Sequence, residues 1–155
     1  MIETPTNTVM YSIEKAIKSY RKFALQNIRQ VEKDLTVDQA LILFLIKDNP
    51  SLSQVEMADI LFKDYASITR MIELMVKNEY IIRVQNPNDR RRSSLTLSIK
   101  GDKSLANVLP VIAQNRRVAL EDVSEEEQEI LKTILSKMIK NCSIEKASYE
   151  LTSKA

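Results

Sequence analysis

Asp89 is followed by Arg90, Arg91 and Arg92, and two serines then lead into the alternating run Leu95-Thr-Leu-Ser-Ile99. Three adjacent guanidiniums have one outstanding chemistry: they present planar, permanently charged donor forks that suit phosphate oxygens. Read alone, such a run is a solvated turn. The question is what stands around it. Pro87, Asn88 and Asp89 are turn residues, so the arginines are expected near the tip of a two-stranded ribbon.

Other chemistries are closed off by composition. The 155 residues include no histidine, which excludes His-based acid–base catalysis, Ser-His triads and His metal sites. A single glycine, Gly101, excludes the glycine-rich loops that cradle nucleotides. One cysteine, Cys142, makes neither an internal disulfide nor a Cys-based zinc site. The acidic stretch EDVSEEEQE at 121–129 lacks basic or aromatic partners and reads as a solvated helix start. No cofactor and no enzymatic activity are expected. With no apolar run of membrane-spanning length and no signal-peptide pattern, the protein is expected to be cytoplasmic.

The elements that must position the arginines follow from periodicity. Met10, Ile13, Ile17, Tyr20, Ala24, Ile28 and Val31 form one stripe of a long first helix. Thr36-Val-Asp-Gln39 is a capping box that opens a helix through ALILFLIK, and Asn49-Pro50 closes it. Ser53-Gln-Val-Glu56 opens a short helix with Val55, Ala58, Ile60 and Leu61 as its apolar side. A turn at residues 62–64 leads to YASITRMIELMVKN, whose inward stripe is Ile68, Met71, Ile72 and Met75. Met57, Met71 and Met75 fill core at helical spacing and do not form a soft-metal box. Two short helices about a tight turn outline a helix-turn-helix.

The period then changes to two. YIIRVQ at 80–85 and SLTLSI at 94–99 read as strands, with Leu95, Leu97 and Ile99 on one face. Beyond Gly101 the chain is helical again, with Leu105, Leu109, Ile112, Ala119 and Leu120 as candidate buried positions and an expected interruption at Pro110. Ser124-Glu-Glu-Glu127 opens a last helix striped by Leu131, Ile134, Leu135, Met138 and Cys142, which makes Cys142 an inert buried thiol. Residues 148–155 lose periodicity and are expected to fray. The predicted fold is mainly α, about six helices with a two- to three-stranded ribbon.

Charge is distributed unevenly along this plan. Residues 63–103 hold nine cationic and five acidic side chains, a balance of +4, so the remainder carries −2 of the formal +2. Local positive charge on a helix-turn-helix with a ribbon beside it is the footprint of duplex DNA binding, where cations displace counterions condensed on phosphate.

The residues also resemble a known family. Asp89-Arg-Arg91 followed by Leu95-x-Leu97-Ser98-x-x-Gly101 is similar to the wing of multiple-antibiotic-resistance-regulator (MarR) type transcription factors. Ser67-Ile-Thr-Arg-Met71 fits the start of that family's recognition helix, and Ile82-Arg83 fits the strand that leaves it. The resemblance implies a ligand-responsive regulator that binds a pseudo-palindromic operator on double-stranded DNA as a homodimer. A repressor is expected. It implies a recognition helix offering Tyr65, Ser67, Ile68 and Arg70 to base edges and Thr69 to phosphate, with Ser53 and Gln54 offering further phosphate donors. Arg90, Arg91 and Arg92 would reach a minor groove, with Asp89 orienting Arg91. Residues 34–101 would be the winged helix-turn-helix lobe of a single 1–155 chain, and 8–33 with 102–147 the dimerisation region. A small aromatic effector would enter a crevice for which Tyr20 and Phe44 are candidates, ordinary core packing being their other reading. The family usually has glycine where this chain has Glu79, and Asn78 is expected to take over the left-handed turn. The competing reading of the whole is a winged-helix module that binds protein and not DNA.

Overall fold

The computed structural model describes residues 4–86 and 89–142, with backbone only for 85, 86 and 89–93. After a 3-10 turn at Pro5–Asn7 come α1 (Val9–Val31), α2 (Val37–Asp48), α3 (Gln54–Leu61) and α4 (Tyr65–Lys77). A hairpin of β1 (Ile81–Asn86) and β2 (Asp89–Leu97) follows, then α5 (Ile99–Ala119) and α6 (Glu125–Asn141). The chain forms one compact unit up to Arg116 and a second from Arg117. No helix among the described residues is long and apolar enough to cross a membrane.

Local chemistry accounts for most helix starts. Thr36, Ser53 and Ser124 each accept from the backbone N–H three residues on, while Gln39, Glu56 and Glu127 reach back to the cap N–H. Asp64 caps α4 by accepting from the Ser67 N–H at 2.8 Å. The apolar run of α2 is a buried helix, because its cap fixes it as helical and apolar residues surround most of its axis. Ile42, Leu43 and Ile46 pack with Ile68, Ile72 and Met75 of α4, Met57 of α3, Ile81 and Leu95 of the hairpin, and Val108 of α5. Each large side chain so buried contributes roughly 1.5–3 kcal/mol.

The hairpin is antiparallel and two-stranded, pairing Ile81 with Leu97 and Arg83 with Leu95, with an irregularity at Gln85/Asn86. Ile81 and Leu95 face the core, while Ile82 and Val84 are exposed on the other face. The three arginines lie within β2 and not in the turn. Gly101 explains the chain's lone glycine: a Cβ there would stand 2.0 Å from the Tyr80 carbonyl oxygen, so only a bare backbone lets α5 start against the end of the helix-turn-helix.

Several expectations need correction. Strand β2 ends at Leu97; Ile99 opens α5 and is 92% exposed. Pro110 does not interrupt α5, since it lies on an exposed side where the carbonyl it frees can meet water. The buried side of α5 is Ser104, Leu105, Val108 and Asn115, whereas Leu109, Ala119 and Leu120 are exposed. In α3 the buried residues are Met57 and Ala58, with Val55 and Ile60 exposed. Glu79 itself takes the left-handed conformation at φ 63, while Asn78 keeps φ −86. The reason is a complete helix-end motif, with the Tyr80 N–H on the Met75 carbonyl at 2.9 Å and the Glu79 N–H on Val76 at 3.0 Å. Lys100 Nζ also donates to the Asn78 carbonyl at 2.8 Å, placing a cation at the carbonyl end of α4.

The second unit is read by itself. Asp122 is left-handed at φ 62, and the Ser124 box then opens α6. No residue of α6 is buried, and Cys142 is exposed, against the expected buried thiol. The tail at 148–155 lies outside the described residues.

Candidate nucleic-acid interface

Helix α4 has two unlike sides. Ile68, Ile72 and Met75 are fully buried, and Tyr65, Ala66, Arg70, Glu73 and Lys77 are exposed. Ile68 is therefore corrected from a base-reading residue to a core residue: it belongs to the inward stripe and cannot reach a groove. Ala66, Glu73 and Lys77 escaped the sequence reading, although they share the i, i+4, i+7 line of Arg70 opposite that stripe. The helical period alone would have found them.

Hydroxyl groups expected to meet DNA already have partners. Ser67 donates its Oγ–H to Asp64 Oδ2 at 2.6 Å, and Thr69 shares its single hydroxyl proton between the Tyr65 carbonyl at 3.0 Å and Gln54 Oε1 at 3.2 Å. Both keep lone pairs for accepting. Gln54 thus keeps its NH2 group for another acceptor. Ser53 donates to Glu56 Oε2 at 2.7 Å, so its hydroxyl proton is engaged and a carboxylate lies beside it. The Ser53 hydroxyl and then its N–H hold the Glu56 carboxyl below the usual carboxylate range. The Ser67 hydroxyl and N–H, with a smaller pull from Arg70, do the same for Asp64. The start of α3 is consequently a less open anion site than its sequence suggests. The side chains of Asp89, Arg90, Arg91 and Arg92 lie outside the described residues.

Away from α4, hollows among the described residues of the first unit include the following two. One of about 600 Å³ lies between α2, β2 and α5, where Lys47 and Asp102 pair with each other at 2.6 Å. The other, of about 190 Å³, lies between α1, α2 and α5, with Tyr20, Arg21, Asn115 and Arg116 among its walls. Tyr20 is thus a cavity residue. Phe44 does not line it and is 43% exposed. Asn115 is 1% exposed; its Oδ1 accepts from Asn27 Nδ2 at 2.7 Å, and its own Nδ2 has no partner among the described residues. A buried donor left unsatisfied costs roughly 1–3 kcal/mol. Nothing in the local sequence distinguishes Asn115 from a surface asparagine.

Known proteins resemble this arrangement. The MarR family's sequence model matches residues 35–93. The transcriptional regulator HosA of Escherichia coli O111:H- is 29% identical over 106 residues, covering 68% of this chain and 78% of HosA. An HTH-type transcriptional regulator of Bacillus cereus is 31% identical over 109 residues, covering 70% of this chain and 72% of that protein. Among solved structures, Bordetella bronchiseptica BpsR, whose DNA binding is regulated by 6-hydroxynicotinic acid, superimposes with a TM-score of 0.77 at 20% identity. That alignment covers 89% of this chain and 97% of BpsR, which makes the fold the same. With the helix-turn-helix, the two-stranded wing and these relatives in view, the chain belongs to the MarR family of winged-helix transcriptional regulators.

Proposed function

We propose that the protein represses transcription by binding a pseudo-palindromic operator as a homodimer, in the cytoplasm, and is released by a small aromatic effector. The observation that carries the DNA-binding part is the exposed line of α4, where Arg70 and Lys77 stand clear of the core beside a basic ribbon. Residues 34–101 act as the DNA-binding lobe, entering a major groove with α4 and a neighbouring minor groove with the wing. Tyr65 and Arg70 read base edges, while Thr69 and the Gln54 amide serve phosphate. Residues 8–33 and 102–147 hold two lobes about one DNA turn apart. The exposed apolar residues of α1, and separately those of α6, support this, because each helix leaves an apolar stripe without a cover. The small cavity lined by Tyr20, Arg21 and Arg116 supports an effector.

The test is a salt series on one operator. If the wing acts only as positive charge, losing Arg90, Arg91 or Arg92 weakens binding equally and lowers the salt slope by about one unit each. The proposal expects Arg91→Ala to be the most damaging and Arg91→Lys to rescue little, since lysine lacks the fork Asp89 orients. Asp89→Asn should partly reproduce the defect, although it makes the protein more positive. A chain that shows no affinity for its own upstream DNA favours the second reading, a protein-binding winged helix. That reading draws on Phe62, 95% exposed on the helix-turn-helix turn near the exposed Val55 and Ile60 of α3.

A further inference from the structure

Asp38 stands between two cations that come from different parts of the fold. Its Oδ1 accepts from Arg21 Nη2 of α1, and its Oδ2 lies 3.2 Å from Lys63 Nζ in the α3–α4 turn. The carboxylate is the least exposed of the three, at 14% against 42% for Arg21 and 37% for Lys63. Arg21 is also a wall of the 190 Å³ cavity. Lys63 directly precedes Asp64, the cap of α4. One carboxylate therefore ties a cavity wall to the residue that introduces the DNA-facing helix.

We propose that Asp38 is a positioning residue through which an anionic occupant of the cavity acts on α4. The proposal rests on the DNA-binding and effector readings above. Arg21 and Arg116 are both among the residues that line the cavity, and two arginines in one lining favour a carboxylate. Its apolar walls, including Ala24, Ile28 and Ile112, suit a small hydrophobic body. A carboxylate that engages Arg21 competes with Asp38 for the same fork. Asp38 then holds Lys63 alone, the tie between α1 and the turn is released, and α4 is freer to leave its DNA-binding position. Reciprocity requires that bound DNA weaken the occupant by the same factor.

Arg21 and Lys63 repel one another, so a favourable coupling between them must run through Asp38. The experiment is a double-mutant cycle on DNA affinity with Arg21→Gln and Lys63→Gln, at fixed salt, on an operator obtained by selection from random duplexes. The relay predicts non-additive losses, with a coupling of about fivefold that vanishes when Asp38→Asn is the background. A phosphate contact made by Lys63 itself cancels within the cycle. Benzoate is the probe: it should weaken DNA binding of the natural chain about fivefold, and bind the Asp38→Asn chain by calorimetry without changing its DNA affinity. Losses that add within about twofold overturn the relay, because independent sites behave that way. The cycle in the natural background needs no Asp38 variant, so additivity overturns the relay even where the Asp38→Asn chain folds poorly. A natural chain that binds no duplex overturns the DNA-binding reading and the relay with it. DNA binding with a coupled cycle but no benzoate affinity leaves the tie standing and overturns the anion as its trigger.

Discussion

Helices α4 and α6 carry apolar stripes of the same period, and the chain treats them in opposite ways. In α4, Ile68, Ile72 and Met75 vanish into the core, each covered by α2 or its neighbours. In α6, no residue is buried, and Ile130, Leu131, Ile134 and Ile139 remain exposed. Helix α1 lies between these extremes: it buries Ala24 and Ile28 near its C-terminal end and leaves Val9, Met10 and Ile17 out. The contrast teaches that amphipathicity states a need for a partner without saying where the partner is. In the recognition lobe the chain supplies it. At the terminal helices we propose that a second copy does.

The largest test of that contrast is a pair of truncations. Ile72→Ala should cost roughly 3 kcal/mol in urea unfolding, since it opens a cavity in a packed core. Ile134→Ala should shift unfolding of the dilute monomer by less than about 0.5 kcal/mol, as surface changes do, and instead raise the dimer dissociation constant in sedimentation. Equal losses in the dilute chain would mean that α6 is covered internally, and the contrast would collapse.

A smaller effect concerns the strained turns of the two regions. A left-handed residue with a Cβ costs roughly 1–2 kcal/mol, and glycine gives back roughly 0.5–1 kcal/mol of that through the freer unfolded chain. Glu79→Gly, at the end of α4, should therefore stabilise by about 0.5–1 kcal/mol in thermal unfolding. Asp122→Gly, before α6, should gain less, because aspartate tolerates that conformation better than glutamate. A reversed order would show that the contacts around Glu79, including the Ser98 hydroxyl that donates to its carbonyl, depend on the side chain present.

The smallest effect is the acid response of the lobe. Glu56 and Asp64 have folded pKa values below their unfolded ones, through hydrogen bonds from Ser53 and Ser67. Their stabilisation is present above the ordinary carboxylate range and is lost as pH falls through the lowered folded values. Amide exchange at the starts of α3 and α4 should accelerate over that interval. Glu56→Gln and Asp64→Asn should flatten the response; a dependence unchanged in both variants would place the acid sensitivity elsewhere.

Much of the local architecture was legible because it is written within a few residues. The three capping boxes and the switch from a helical period to a period of two each depend on neighbours in the chain. The inward stripe of α4 was legible for the same reason, and it should have removed Ile68 from the reading face at once. Placing Val55 and Ile60 in the core failed because α3 has only eight residues, too few for a stripe to be unambiguous. The left-handed turn was misplaced by one residue, since composition favours asparagine while the bonds of Tyr80 and Glu79 to α4 select Glu79.

By itself the sequence determined the helical class, the wing, the basic segment and the absence of histidine chemistry, all properties of residue type and short spacing. Tertiary structure alone decided which apolar stripes are covered, that Asn115 keeps an unsatisfied amide beside Tyr20 and Arg21, and that Asp38 bridges Arg21 and Lys63. Those features join residues far apart in the chain. Their energies depend on distance, burial and competing hydrogen bonds, and these exist only once α1, α2, the turn before α4 and α5 have packed together.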